Sequence, residues 1–282
     1  MGTAIRLHEV APRRSPMIRL AAGRIGMSST LADLLQLMGA EADAAGLAAG
    51  VPIPLRFLHA GETLFHEGAP AQAIYFVRAG TFKTFRTGED GYEQVLGFAG
   101  RAELLGFDAL CKDQHPNAAV ALEDSSVCVV LAHDIFSLGQ RLPALDRIVH
   151  LAVSRALTHR GELADVMAAV AAEVRLARFL VQLSQRMAEC GQASRRFHLR
   201  MSRRDIASHL GVAHETVSRS FTALADWGFV RVDNREVEIL DLQALKELSR
   251  STRRQVDEPL RGHAPHAAGR LHVRAEVRAS AT

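Results

Sequence analysis

Glu215, Ser218 and Arg219 are spaced so that one helical turn places all three on a single face. Their chemistry suits the edges of base pairs. An arginine can donate two N–H bonds to O6 and N7 of guanine, a carboxylate can accept from N4 of cytosine, and a hydroxyl can meet either kind of edge. Five nearby residues, Ser202, Arg203, Arg204, His214 and Thr216, are of the types that hold phosphate oxygens and so set register rather than sequence. Arg195, Arg196 and Arg200 extend the same basic run, where neutralised phosphates would make binding salt-dependent.

Two short helices are needed to present that face. In MSRRDIASHLGVAHETVSRSFTAL, Met201 to Leu224, Ser202 can cap a first helix with Asp205 answering three residues later, and Ile206, Ala207 and Leu210 face inward. Gly211 supplies the left-handed residue that ends it. In the second helix Val217, Phe221 and Leu224 point inward, turning Glu215, Arg219 and Thr222 outward with Ser218 on the flank. After Trp227 and Gly228, Val230 and Val232 alternate with Arg231, and Val237 and Ile239 alternate with Glu236 and Glu238. That pattern predicts a hairpin closing on Asp233 and Asn234, a wing. An ordinary helical pair also has outward charges, but the cap, the glycine turn and the wing in this order favour a DNA-reading element.

The whole chain has 282 residues, 48% of them hydrophobic, enough for two cores, and a formal net charge of +3 that permits an anionic partner without demanding one. Three scattered cysteines, Cys111, Cys128 and Cys190, make no disulfide framework and fit a reducing cytoplasm. No apolar run is long enough for a bilayer span, and no signal-peptide core opens the chain. Residues 1–50 read as an extension with one helix over Leu31 to Met38. From 51 to 140, short apolar or alternating runs punctuated by Gly61, Gly68, Gly80 and Gly91 predict a β-roll, whose glycines either border a ligand or simply make turns. Over 141–172 a long helix repeats Val149, Ala152, Ala156, His159, Leu163, Val166 and Val170 at three- and four-residue steps. This is read as the seam of a parallel dimer, the alternative being that the stripe packs on the chain's own β-domain. Residues 173–250 hold the winged pair, and 251–282 read as a disordered basic tail whose His263, His266 and His272 show no second shell for a metal.

With these motifs in place the chain resembles the Crp/Fnr family of bacterial transcription regulators from about Leu55 to Leu248. HETVSR, at His214 to Arg219, is similar to the recognition helix of the Fnr branch, in which glutamate, serine and arginine read a TTGAT-type half-site. Ser218 stands where the Crp branch has glycine. AGETLFHEGAPAQAIYFVRAGTFKTF, LLGFDAL and SSVCVV resemble the effector β-roll, and RVDNREVEILD the wing. The resemblance implies an α+β chain: a cyclic-nucleotide-binding-like β-roll of the jelly-roll kind, a long dimerisation helix and a C-terminal winged helix-turn-helix. Its partners would be double-stranded DNA, RNA polymerase and a second copy of itself, with no membrane.

Departures from the family define the sensor. The Fnr cluster takes four thiolates. Cys128 matches the fourth, but no cysteine precedes the β-roll, so no 4Fe-4S cluster is expected. Phe107, Pro116 and Asn117 stand where the Crp branch has a glutamate, an arginine and a serine for the cyclic phosphate, so no cAMP is expected either; Arg101 and Lys112 are the nearest cations. Haem stays open, since His59, His66, His115 and His133 all lie in the β-domain. Cys111 and Cys128 are the candidate redox residues, Cys111 the more exposed of the two. The segments matching polymerase-contacting loops are Glu89 to Gln94 and Ala188 to Arg195. A nucleophile with a base and orienter is not recognisable, so an enzyme is not expected; the rival reading is a haem- or redox-sensing protein whose β-roll does the main work.

Overall fold

The computed structural model describes residues 28–39, 51–110, 112–141 and 143–251. It begins with β1 (Ser28–Thr30) and α1 (Leu31–Leu37). Thr30 caps α1 with a capping box: its hydroxyl accepts from the Asp33 N–H at 3.2 Å, and the Asp33 carboxylate accepts from the Thr30 N–H at 2.7 Å. The expected helix at Leu31 is therefore present, preceded by a strand too short for its sequence to announce.

Eight strands follow: β2 (Pro52–Leu58), β3 (Thr63–Phe65), β4 (Ala73–Ala79), β5 (Phe82–Thr87), β6 (Glu93–Ala99), β7 (Leu104–Leu105), β8 (Ala118–Ala121) and β9 (Ser125–Leu131). They form two antiparallel sheets, ordered β1-β2-β9-β4-β7 and β3-β8-β5-β6. In β9, Val127 and Val129 point between the sheets while Cys128 and Val130 point to the outer core with α1, so both faces are buried. This explains why SSVCVV reads as a continuous apolar run. The β4–β5 turn needs Gly80, at φ +91°, because a Cβ there would lie 2.0 Å from the Ser125 hydroxyl.

Next come α2 (Ala132–Arg141), α3 (Pro143–Ala168) and α4 (Ala172–Glu189). The seam expected on α3 is not an open dimer face. Val149, Ala152 and Val166 are buried and Ala156, His159 and Leu163 half-buried, leaving only Val170, beyond the helix end, exposed. Leu145, Ile148, Val149 and Ala152 close the sensor core together with α1, and Val166 joins the core of the C-terminal domain. Most of the stripe packs on the chain itself, the alternative the sequence left open, because periodicity identifies an apolar stripe without saying what covers it. A second stripe, Leu151, Ser154, Leu157, Thr158 and Gly161, faces solvent.

The C-terminal domain contains β10 (Arg196–His198), α5 (Arg203–Leu210), α6 (His214–Asp226), β11 (Val230–Asp233), β12 (Glu236–Ile239) and α7 (Leu242–Arg250). β10, β12 and β11 form one small sheet, so the wing has a third strand that sequence reading treated as loop. Asp233 pairs with Glu236, which makes Asn234–Arg235 the two-residue turn, one position later than expected. Asn234 takes the left-handed backbone there, with φ 52°.

The C-terminal domain is docked on the sensor. β6 is an edge strand, and α5 satisfies that edge: the Val95 N–H donates to Ser208 Oγ at 2.9 Å, Ser208 Oγ donates to the Glu93 carbonyl at 2.8 Å, and Gln94 Nε2 donates to the Ser208 carbonyl at 2.9 Å. Lys83 of β5 bridges Glu93 at 2.7 Å and Asp205 at 3.0 Å. At the α3–α4 joint Arg175 donates at 2.8 Å to the carbonyls of both Ala169 and Leu210, tying the joint to the turn between α5 and α6.

Candidate nucleic-acid interface

The α5–turn–α6 unit is built by local chemistry. Ser202 Oγ accepts from the Asp205 N–H at 3.1 Å and the Asp205 carboxylate accepts from the Ser202 N–H at 2.9 Å, the reciprocal cap expected from the spacing. Burial pushes the Asp205 carboxyl up, but the Ser202 bonds and Lys83 outweigh it and hold it below the usual carboxylate range. Gly211 has φ 62° and stops α5, as the left-handed position requires. Val217, Phe221 and Leu224 are buried beneath α6.

Glu215, Ser218, Arg219 and Thr222 are consequently all exposed. Among the described residues the side-chain bonds of this row stay within α6: Ser218 Oγ donates to the His214 carbonyl at 3.5 Å, Thr222 Oγ1 to the Ser218 carbonyl at 3.3 Å, and Arg219 Nη2 to Thr216 Oγ1 at 3.4 Å. These bonds are long and easily exchanged for others. Thr216, one of the expected phosphate contacts, accepts the long bond from Arg219.

Ser202, Arg203, Arg204 and His214 are brought together around a depression of about 430 Å3, floored by Leu199 and Met201 and closed by Asn234 and Arg235 of the wing turn. No side chain caps the start of α6, where Ala213 precedes His214, so the first N–H groups of a 13-residue helix open next to that depression. Asn234 and Arg235 were missed because their approach depends on the hairpin folding back; the turn-forming Asn was the available signal.

Arg203 is also engaged within its own domain. Its guanidinium carbon lies 3.5 Å from the centre of the Phe221 ring and its Nη2 donates to the Asn234 carbonyl at 3.0 Å. Burial, with help from the Arg235 charge, lowers its pKa. Arg203 therefore fastens the wing to α6 as well as bordering the depression. Arg196 and Arg200 are likewise engaged, with Glu238 at 3.1 Å and Glu123 at 3.0 Å. Arg204 is exposed.

In the sensor, the Asp108 carboxylate accepts from Asn117 Nδ2 at 2.7 Å and from Arg160 Nη2 of α3 at 2.9 Å. Cys128 is only 1% exposed, and burial pushes its thiol up to about 11. Cys128 is thus a buried strand residue whose thiol stays protonated at neutral pH, an environment unfavourable to oxidation; Cys111 lies outside the described residues. His59, His66 and His133 are exposed, whereas His115 is buried with its ring stacked 3.9 Å from that of Phe65. Among the described residues no group of three or more His, Cys, Asp or Glu is placed to hold a metal. The tail and its histidines also lie outside the described residues, as do residues 1–27 and 40–50 of the N-terminal extension.

Comparison with known proteins adds two domain matches: a cyclic nucleotide-binding domain over residues 55–141 and a Crp-like helix-turn-helix domain over residues 174–248. The chain is 40% identical over 188 residues to the transcriptional regulatory protein btr of Bordetella pertussis, covering 67% of this chain and 78% of that protein. It is 37% identical over 186 residues to the transcriptional activator protein anr of Pseudomonas aeruginosa, covering 66% and 76%. Among solved structures, FixK2 from Bradyrhizobium japonicum superposes with a TM-score of 0.64 at 24% identity, over 71% of this chain and 98% of that one, a likeness of fold.

Proposed function

The chain belongs to the Crp/Fnr family of transcription regulators, with a cyclic-nucleotide-binding-type β-roll and a DNA-binding helix-turn-helix, and on that premise we propose that it reads an inverted TTGAT-type repeat as a homodimer. The observation that carries this is the exposed row of Glu215, Ser218 and Arg219 on α6, flanked by a depression bordered by Arg203, Arg204 and Arg235. Arg219 donates to guanine, Glu215 accepts from cytosine and Ser218 meets the neighbouring edge.

The second copy is expected along the outward stripe of α3. Leu151, Ser154, Thr158 and Gly161 recur at steps of three and four with Leu157 beside them, the spacing of a close two-helix seam, and two copies would place two α6 helices on half-sites one turn of DNA apart. The exposed segment Glu89 to Gln94 and the segment Ala188 to Arg195 at the end of α4 are the surfaces proposed for RNA polymerase. Among the described residues no helix is long and apolar enough to cross a membrane, which supports action in the cytoplasm.

We read the sensor as working without an iron–sulfur cluster or cyclic nucleotide. Three cysteines are present where such a cluster takes four thiolates. A carboxylate, Asp108, already holds two hydrogen-bond donors at the phosphate cassette, Asn117 and Arg160.

The test is a titration of the purified, air-exposed protein into a duplex bearing the inverted TTGAT repeat and into one with its guanines exchanged, at fixed salt, after recording the absorbance spectrum. Tight binding to the first duplex alone by a colourless protein supports the whole reading. Equal weak binding to both duplexes overturns the assignment of readers, and an iron–sulfur or haem spectrum overturns the sensor half.

A further inference from the structure

A cleft of about 1280 Å3 runs between the β-roll, the helices α3 and α4, and the back of α5. Its lining contains nine arginine and lysine side chains against three carboxylates, so the positive charge gathered there exceeds the +3 of the entire chain. Its interdomain end is apolar, with Leu96, Phe98, Phe179, Leu183 and Met187. Such a wall under a cationic rim fits an amphiphilic anion better than an inorganic one.

Two buried nitrogen atoms at that end have no partner: Arg186 Nε and His209 Nδ1. His209 is 9% exposed and sits between the rings of Phe98, at 5.2 Å, and Phe179, at 5.8 Å. Burial, then the nearby Arg186 charge, lowers its pKa to about 4. At neutral pH its ring is uncharged and bonded to the Val95 backbone, so Nδ1 is an acceptor in need of a donor. Arg186 uses its terminal nitrogens on Glu162 at 3.2 Å, Glu103 at 3.9 Å and the Phe98 carbonyl at 3.5 Å, which leaves Nε–H in need of an acceptor. Burial raises the pKa of Glu103, weakening it as a competitor for Arg186. These unmet buried groups of opposite type both lie against Phe98, and together they define what would satisfy them.

We propose that this cleft binds a small organic anion with an apolar body, its carboxylate accepting from Arg186 and a neighbouring hydroxyl donating to His209. The site differs from the phosphate cassette at the other end, where Asp108 is taken by Asn117 and Arg160. It joins three parts that must keep their relation for the reading head to be held: β6, α4 and α5. Its use as an effector site rests on the regulator reading above; its occupancy does not.

The test uses salicylate, an aromatic hydroxy-carboxylate, titrated calorimetrically into the full chain without DNA, so that its outcome is independent of DNA reading. Saturable binding is expected, weakened about tenfold or more by Arg186→Lys, which keeps the charge but loses Nε–H, and by His209→Phe, which keeps an aromatic ring. Intermolecular NOEs from the salicylate ring to Phe98, Phe179 and the Met187 methyl group in the unsubstituted protein locate the ligand even if a variant fails to fold. Absence of binding at millimolar salicylate, NOEs to other residues, or folded variants that both bind as tightly as the unsubstituted chain would each overturn the proposal.

Discussion

The reading head and the sensor treat their polar side chains in opposite ways. On α6, Glu215, Ser218 and Arg219 are exposed and held only by long bonds within their own helix. In the sensor, Asp108 is gripped by Asn117 and Arg160 at 2.7 and 2.9 Å, and Arg56, buried in β2, gives two guanidinium nitrogens to the carbonyls of Leu64 and Thr63 at 2.7 and 3.0 Å. The α6 row leaves its hydrogen-bonding capacity for a partner, whereas Asp108 and the terminal nitrogens of Arg56 use theirs on the chain itself. The fold supplies only the shape of a pocket; what binds there depends on which donors and acceptors the chain leaves unspent.

The largest expected effect lies on the border between the two regions. His209 is held neutral, with its pKa lowered from 6.5 to about 4. The unfolded chain therefore takes up a proton at higher pH than the folded one. Stability is complete above about pH 6.5 and declines as pH falls toward 4, by about 3 kcal/mol in all. Urea unfolding at pH 7 and pH 5 should show that decline, and His209→Phe should flatten it; an unchanged slope would mean that His209 is not a sealed contact between head and sensor. On the open face, Arg219→Ala should weaken binding to the TTGAT repeat by about 1–3 kcal/mol and relax the choice at its guanine, leaving the melting temperature nearly unchanged. Fluorescence anisotropy with both duplexes decides this. A large loss of stability instead would show that Arg219 is engaged by the fold.

The open face was legible in the sequence because local backbone chemistry builds it. The Ser202–Asp205 cap, Gly211 and the inward Val217, Phe221 and Leu224 all lie within one short segment, and each constrains its neighbours directly. The self-satisfied contacts were not legible. Arg160 meets Asp108 across 52 positions and Arg203 reaches the wing across 31, so nothing in their immediate neighbourhood marks them. The α3 helix shows a related limit. It carries an inner stripe through Val149, Ala152 and Val166 and an outer one through Leu151, Ser154 and Gly161, and a period of three and four residues describes both equally well. The strand β10 escaped notice because three residues, Arg196–His198, are too few to establish an alternation.

Two basic neighbours sharpen the comparison inside the reading head. Arg204→Ala should reduce the slope of log affinity against log salt by about 0.9 while leaving sequence preference intact. Arg203→Ala should act first on the fold, lowering stability by about 1–2 kcal/mol through the lost ring contact and the lost bond to Asn234. Equal salt slopes for the two variants, with equal melting temperatures, would return Arg203 to the ordinary phosphate contacts.

The smallest effect tests the sensor side. The partner of Asp108, Arg160, is more than half exposed, its side chain 57% accessible, so Asp108→Asn should cost only about 0.2–1 kcal/mol. If the cassette is filled by the chain's own carboxylate, millimolar cyclic AMP should leave the melting temperature of the unsubstituted protein unchanged. It should do the same for Asp108→Asn, because Phe107, Pro116 and Asn117 still supply neither a cation nor a hydroxyl for a cyclic phosphate. A rise in melting temperature only in the variant would show that Asp108 alone closes the cassette. A rise in both would show that the donors held by Asp108 are released to a ligand, and that the sensor is as open as the reading head.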